Sequence, residues 1–309
     1  MWIPVCLLTA FCGGLSGTID LKPYGFEDVN FLTCHRVGQN VLVIGLHEGQ
    51  AVLFGEDGAL LARVGGGGPA AVNLVQPMLL GISPEEILLL NGGKQILAFD
   101  HRLEPRPAAY PPLSRPAMGG RWLAPGKVLL NTFGNGDYAL TRVGLDGGDW
   151  RVEAQLFPMS YGPPMAEGQP GAPSFWLIQQ GETVFRWEPL TLGEPGYLIE
   201  VHQVPAAGGQ EQVQVLQRDF EKIEHAAALW PLLVCAARLR DGYAVVFQFA
   251  DMETFATASQ WVDLFAVNGD FRGRRSIEVY WIPKPLGSGA GLLLLDTRRM
   301  DLHPFPDGG

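Results

Sequence analysis

Histidine and cysteine side chains are the natural candidates for metal binding or nucleophilic catalysis, but their spacing in this chain supports neither. No two histidines have the spacing of zinc ligands, and no Cys-x-x-Cys pair occurs. Cys34 and His35 are adjacent, yet neighbouring residues on a strand point to opposite faces. We therefore predict no structural metal and no site shared by these two residues. The histidines are His35, His47, His101, His202, His225 and His303.

Motifs for a cofactor or an activated serine are also missing. The sequence has no Gly-x-Ser-x-Gly elbow and no Gly-x-Gly-x-x-Gly fingerprint. The four glycines at 65–68 do not form a phosphate loop, because Pro69 follows them instead of a Lys-Ser/Thr pair and a helix. We predict no cofactor and no catalytic residue, and we interpret 65–68 as a connection between structural units.

Similar short segments recur at a regular interval along the chain, and these repeated units must position any site. Phe54, Phe99, Val143 and Trp187 are 45, 44 and 44 residues apart, and a later copy surrounds Phe265. A period of this length is typical of stacked supersecondary units. In three of the five copies an Asp-Gly or Asn-Gly pair follows, which predicts a hairpin with glycine at positive φ. These glycines are Gly58, Gly147 and Gly269.

Short apolar runs precede these anchors and indicate buried strands. Each run has four to eight residues between turn signals, too short for an amphipathic helix. The interval of 78 residues from Trp187 to Phe265 is explained by an insertion at about 205–226, which is polar and is predicted to hold a loop with a short helix. The chain is thus predicted to be all-β, with six units of four antiparallel strands. A closed ring of such units protects the sheet edges.

In these features the chain resembles a six-bladed β-propeller of the NHL-repeat type, over residues 18–309 as a single domain. The resemblance rests on Phe54–Gly58, Phe265–Gly269, the Phe99-Asp100 pair and the glycine-rich connection 65–69. The third and fourth units depart from the pattern, since Val143 and Trp187 replace the aromatic-Asp pair and Thr191 replaces glycine. We further predict that residues 18–21 close the ring beside the strand near 291–296.

The resemblance implies a non-catalytic propeller that binds a peptide, a saccharide or a protein at one end of its central channel. Connections between blades form channel mouths, so we select polar residues on the predicted connections as the candidate binding site. They are Asn73, Gln76, Arg115, Tyr161, Lys222 and Glu224.

Two alternatives remain open. Metal-dependent propeller hydrolases or lyases of the lactonase type hold a divalent ion in the channel with Glu, Asn and Asp ligands. Asn131, Asn135 and Asp137 are candidates of the right chemistry, but no Glu-Gly-Pro segment supplies the first ligand of that family. The other alternative is an architectural module of a larger assembly.

Charge argues against nucleic acid as a partner. The net charge is −10, and basic residues are scattered except for Arg272, Arg274 and Arg275, which we interpret as a solvated turn. Binding to a phosphate backbone would need a basic face.

The N-terminal residues 1–17 are apolar and uncharged, and they are too short to span a bilayer. They resemble part of a secretory signal without its basic leader, or else a buried terminal strand. The first interpretation predicts a periplasmic or extracellular protein and the second a cytoplasmic one. Loss of 1–17 would remove Cys6 and Cys12, leaving Cys34 and Cys235, which we predict to be two buried thiols.

Overall fold

The computed structural model describes residues 17–66, 72–107, 110–132, 137–161, 173–190, 196–205, 212–220, 229–254, 256–287 and 290–305. These residues form six antiparallel sheets that are the blades of a β-propeller, as predicted. The described helices are two single turns of 3-10 helix at Lys22–Tyr24 and Val29–Phe31.

The strands are numbered in chain order, and each blade runs from the ring axis outward. Strand β1 is Ile19–Asp20. Blade 1 contains β2 (Leu32–Val37), β3 (Asn40–Gly45), β4 (Gln50–Phe54) and β5 (Leu60–Gly65). Blade 2 contains β6 (Met78–Ile82), β7 (Ile87–Asn91) and β8 (Gln95–Phe99). Blade 3 contains β9 (Gly120–Ala124), β10 (Lys127–Asn131), β11 (Tyr138–Asp146) and β12 (Asp149–Pro158).

The second half of the ring is built in the same way. Blade 4 contains β13 (Trp176–Gln180), β14 (Thr183–Trp187), β15 (Gly196–Gln203) and β16 (Gln212–Asp219). Blade 5 contains β17 (Leu229–Leu239), β18 (Gly242–Asp251), β19 (Thr257–Ala266) and β20 (Phe271–Ile277). Blade 6 contains β21 (Trp281–Pro285), β22 (Leu292–Asp296), β23 (Asp301–Pro304) and, at its outer edge, β1.

The two ends of the chain close the ring, but with a different neighbour from the one predicted. Strand β1 pairs with β23, so that Ile19 lies opposite Leu302, and β23 separates it from β22 at 292–296. Strand β23 could not be predicted from the sequence, because this strand follows a polar turn and has no apolar run. In that turn the Asp296 carboxylate accepts hydrogen bonds from the backbone N–H groups of Arg298 and Arg299.

Buried hydrophobic side chains fill every interface between blades. Among the described residues they form six clusters, one at each junction of neighbouring blades. Cys34 and Cys235 lie in two of these clusters as free thiols, as predicted, and burial raises the pKa of each to about 12. The cluster between blades 3 and 4 is the smallest, with four fully buried members.

In blade 4 the anchor residue Trp187 does not occupy the same strand as the anchors of the other blades, which the sequence repeat had predicted. Phe54, Phe99, Val143 and Phe265 lie in the third strands of their blades, whereas Trp187 ends the second strand, β14. The third strand of this blade is β15, and its fourth strand, β16, lies inside the segment 205–226 where a loop with a short helix was predicted. An outermost strand is half solvated, so it needs no apolar run. The parts of the segment at 206–211 and 221–228 lie outside the described residues.

Among the described residues, blade 2 has three strands and no regular fourth strand. After β8 the chain makes only a bridge between Phe99 and Pro105, followed by a hydrogen bond from Arg106 N–H to Ala98 C=O. The next residues include Pro107, Pro111 and Pro112, which have no N–H to donate to a sheet. The covering segment therefore cannot extend the ladder.

The arginine cluster at 272–275 is not a solvated turn. It lies in β20, where Arg274 forms hydrogen bonds to the fully buried Asp263 at 2.6 Å and 3.0 Å. The Tyr197 hydroxyl donates a further hydrogen bond of 2.6 Å to Asp263 from blade 4. This network joins blades 4 and 5, and all three partners are satisfied.

The predicted hairpin glycines are confirmed, and two of them also pack closely. Gly58 and Gly269 have φ values of 84° and 87°. A Cβ atom at Gly58 would lie 2.5 Å from the carbonyl oxygen of Thr18, and one at Gly269 would lie 2.8 Å from Nε2 of Gln214. Gly147, at φ 59°, has open space around it.

Replacing Gly58 or Gly269 with valine is expected to lower the free energy of unfolding by about 1–2 kcal/mol, because a branched Cβ is unfavourable at positive φ. Urea denaturation of Gly58→Val and Gly269→Val measures this loss. Ala59→Val, at the exposed next position of the first hairpin, is the control and should change stability little. Unfolding free energies unchanged for both glycine variants would contradict the assignment.

Candidate functional site

A cavity of approximately 630 Å³ occupies the axis of the ring. Its walls are mainly the inner strands β2, β6, β9 and β13. Each inner strand pairs with a single neighbour, so its other edge presents backbone N–H and C=O groups to the cavity. The polar side chains in the wall are Thr33, His35, Arg36, Arg121, Asn131 and Gln179.

Turns from non-adjacent blades meet at one end of this channel. The backbone N–H of Gly181, in the first turn of blade 4, donates to the carbonyl of Gly287 in blade 6 at 3.1 Å. Gly287 N–H in turn donates to Cys34 C=O of blade 1 at 2.9 Å. Blades 4 and 6 are not neighbours, so these turns extend across the ring. We call this end, marked by Gly181 and Gly287, the channel floor.

Gln180 connects the channel floor to blade 5, which lies between blades 4 and 6. Its side-chain amide is almost fully buried and donates to the backbone carbonyls of Arg238 and Gly291 at 3.3 Å and 3.2 Å. Arg238 belongs to blade 5 and Gly291 to blade 6, so one glutamine ties three blades together. The described part of the floor is therefore held together by hydrogen bonds between blades.

Arg121 crosses from blade 3 toward the channel floor. Its Nη2 atom lies 3.5 Å from Oε1 of Glu182, which follows Gly181. Its Nη1 atom is buried and has no hydrogen-bond partner among the described residues. Burial lowers the pKa of Arg121, and the charge of Glu182 opposes that effect. A buried N–H donor without an acceptor is energetically unfavourable, so an acceptor brought to this atom would be stabilising.

His35 lies at the same end of the channel. The ring is 8% exposed, its Nε2 atom is 2.9 Å from the Thr33 hydroxyl, and its Nδ1 atom is buried without a partner in the described chain. A Cβ atom at Gly287 would lie 2.5 Å from this ring, so only glycine leaves room for it. Burial lowers the pKa of His35 to about 3, so the ring is neutral in the folded protein.

A second cavity, of approximately 480 Å³, lies between blades 3 and 4. There Glu200 binds Arg186 at 2.6 Å and His202 at 3.1 Å. Burial by itself raises the pKa of Glu200, but the hydrogen bonds and charges of Arg186 and His202 together lower it. Arg142, in the same wall, has a buried Nε atom with no hydrogen-bond partner among the described residues, as Arg121 and His35 have in the channel. We take the channel as the candidate ligand site because its cavity is the larger of the two and is shared by several blades.

The structure places four of the six predicted site residues on the connections that lead into inner strands. All four are exposed, and none of them is among the described residues that line the channel cavity. Asn73 and Gln76 precede β6, Arg115 precedes β9 and Tyr161 precedes β13. Lys222 and Glu224 lie outside the described residues. The role of these six residues at a channel mouth stays a prediction.

Candidate metal ligands are only partly described. Asn131 lies in the channel wall and Asp137 is exposed, while Asn135 falls outside the described residues. Within the described ranges, no three His, Cys, Asp or Glu side chains are grouped as a metal site would require.

Sequence reasoning missed Arg121 and assigned His35 no role. The signal that could have found them is weak: each is a basic or aromatic polar residue within the first short strand of its unit. Such a position faces the ring axis only once the unit boundaries are known.

Comparisons with known proteins support the fold. No protein-family model and no curated protein sequence matches this chain. The structure is similar to that of a Bacteroides fragilis protein predicted to be exported, with a TM-score of 0.53 and 12% identity over 90% of this chain and 82% of that one. It is also similar to a member of the DUF4221 family from Bacteroides vulgatus, with a TM-score of 0.51 and 9% identity over 93% and 94% of the two chains.

The described residues contain no helix with the length and apolar character needed to cross a membrane.

Protonation of His35 should make stability depend on pH. Its ordinary pKa is 6.5 and its folded-state pKa is about 3, so between these values only the unfolded chain binds the proton. Stability is therefore complete above pH 6.5 and falls as the pH drops toward 3, by up to about 1.4 kcal/mol per pH unit.

In His35→Gln this one-proton slope should disappear, as measured by urea denaturation at pH 4 to 6 (a range of about two units). The slope is the readout, because the substitution also alters packing. His101→Gln, at an exposed histidine, is the control and should change the slope less. A slope that is the same in wild type and His35→Gln would contradict the neutral, buried imidazole.

Proposed function

We propose that this protein is a non-catalytic β-propeller that binds a polar ligand in its central channel. The observation that carries the proposal is the cavity of approximately 630 Å³, whose wall includes Arg121 and His35, each with a buried polar atom that has no hydrogen-bond partner in the part of the chain that the structure describes. Cavities of this size are typical of small-molecule sites. Strand edges add backbone donors and acceptors, so the site suits a saccharide or a short peptide segment better than an apolar molecule.

The ligand enters, in this proposal, at the end opposite the channel floor. In an antiparallel blade, the connection from the previous blade and the first turn lie at opposite ends of the inner strand. The connections that carry Asn73, Gln76, Arg115 and Tyr161 therefore lead away from Gly181 and Gly287. Lys222 and Glu224 lie outside the described residues, and we assign them to this mouth from the sequence alone.

The repeats are proposed to be of the NHL type, on the strength of Phe54–Gly58 and Phe265–Gly269 as third-strand hairpins. We also propose that the protein acts outside the cytoplasm. The apolar segment 1–17 supports this location, as does the similarity in fold to a Bacteroides fragilis protein predicted to be exported. One fold hosts many functions, so the decisive test is one of the site itself.

Filling the channel should abolish ligand binding. Thr33 is an exposed residue of the channel wall, so Thr33→Trp places a large ring in the cavity with little disturbance of the core. Ligand-observed NMR with mono- and oligosaccharides and with short peptides identifies binders of the wild type. Their affinity should fall at least tenfold in Thr33→Trp, and in Gln179→Trp on the facing wall (about 1.4 kcal/mol or more).

Val152→Trp is the matched control, because Val152 is 61% exposed on the outer strand β12. It should leave binding unchanged. Binding that survives both channel variants but is lost in Arg115→Ala with Tyr161→Ala would restrict the site to the mouth. Binding that survives all of them would refute the channel site. A tightly held stoichiometric divalent ion in the purified protein, with hydrolysis of a bound ligand, would support the hydrolase alternative instead.

A further inference from the structure

The electrostatic character of the channel restricts the class of ligand. Arg36 and Arg121 are the charged groups among the described residues that line the cavity, and no acidic side chain is among them. This is unexpected in a chain with 32 acidic and 22 basic residues. Low-dielectric walls strengthen the field of such groups, which favours an anion.

Arg121 supplies a specific donor for that anion. Its only described ionic partner, Glu182, is 46% exposed and lies 3.5 Å from Nη2, so the pair leaves Nη1 unused. Nη1 is 3.7 Å from the position that a Cβ atom would take at Gly181. This distance is an ordinary van der Waals contact and places the guanidinium beside the first turn of blade 4, where Gly181 has a φ of 62°. A planar guanidinium is well suited to bind a carboxylate.

His35 offers a second anchor a short distance away. Its unpartnered Nδ1 atom lies beside Gly287, and Gly287 accepts the hydrogen bond from Gly181. The two unsatisfied atoms therefore flank the same pair of hydrogen-bonded glycines. A neutral imidazole nitrogen either accepts from a hydroxyl group or donates to one, according to its tautomer.

The remaining wall favours hydroxyl groups over a purely apolar body. The wall contains uncharged side chains that both donate and accept hydrogen bonds, namely those of Thr33, Gln179 and Asn131. The edges of the inner strands add backbone N–H and C=O groups. Trp122 also borders the cavity, but its ring packs into the cluster between blades 2 and 3, edge-on against Trp150 at 6.3 Å.

Resting on the proposed channel function, we propose that the ligand is a polyhydroxylated carboxylate, as a uronic acid is. Its carboxylate binds Arg121 at the channel floor, and one of its hydroxyl groups binds His35. Charge supplies the selectivity, since a neutral sugar of the same shape leaves Nη1 of Arg121 unsatisfied.

Matched acid and neutral sugars test this proposal by calorimetry or ligand-observed NMR. The probes are glucuronate with glucose and galacturonate with galactose, each also as short oligomers. At least one acid should bind ten times or more tightly than its neutral partner. Arg121→Gln should remove that preference, and Arg121→Lys, which keeps the charge but not the planar fork, should reduce it. Arg151→Gln is the control, since Arg151 is 69% exposed on the outer strand of the same blade.

The outcomes separate this inference from the proposed function. Neutral sugars that bind equally well, with sensitivity to Thr33→Trp but not to Arg121→Gln, would overturn the carboxylate while leaving the channel site intact. Peptides with a free C-terminal carboxylate that bind through Arg121, when their amides do not, would overturn the sugar acid. An absence of any Thr33→Trp-sensitive binding among all probes would overturn both proposals.

Discussion

The pairing of β1 with β23 is the constraint on which the rest of the structure depends. Any open array of sheets would leave strand edges with unpaired backbone groups, which favour association with other chains. Here Ile19, at the start of the described chain, lies opposite Leu302 near its end, and both side chains are fully buried. Because this pairing completes blade 6, the six interblade clusters form a continuous ring, and the loss of one junction would expose two of its faces.

The same closure creates the channel. Six inner strands surround the axis, and turns from blades 4 and 6 meet across it through Gly181 and Gly287. Arg121 comes from blade 3 and His35 from blade 1, which are not adjacent in the ring. No single blade holds the candidate site, so its geometry depends on the curvature of the whole ring. Gly287 leaves space for the His35 ring, because a side chain at this position would collide with it.

Buried polar groups have different surroundings at the interface of blades 4 and 5 and in the channel. At the interface of blades 4 and 5, Asp263 is fully buried and is bound by both Arg274 and Tyr197. Because these partners are complete, the network is a structural one that fixes how the two blades pack. In the channel, Arg121 and His35 have buried atoms that find no hydrogen-bond partner among the described residues. The cavity beside these two residues is what distinguishes a site suited to a ligand from an internal brace.

Short-range sequence patterns were enough to predict the local elements. The Asp57-Gly58 and Asn268-Gly269 hairpins and the buried second strands follow from short-range chemistry, since positive φ requires glycine and a strand covered on both faces requires an apolar run. The sequence failed where exposure removes that signal, at β16 and β23, and where prolines replace an outer strand in blade 2. The meeting of Arg121 and His35 at one cavity is visible only in the folded ring, because residues 86 positions apart meet through ring closure, which no local pattern encodes.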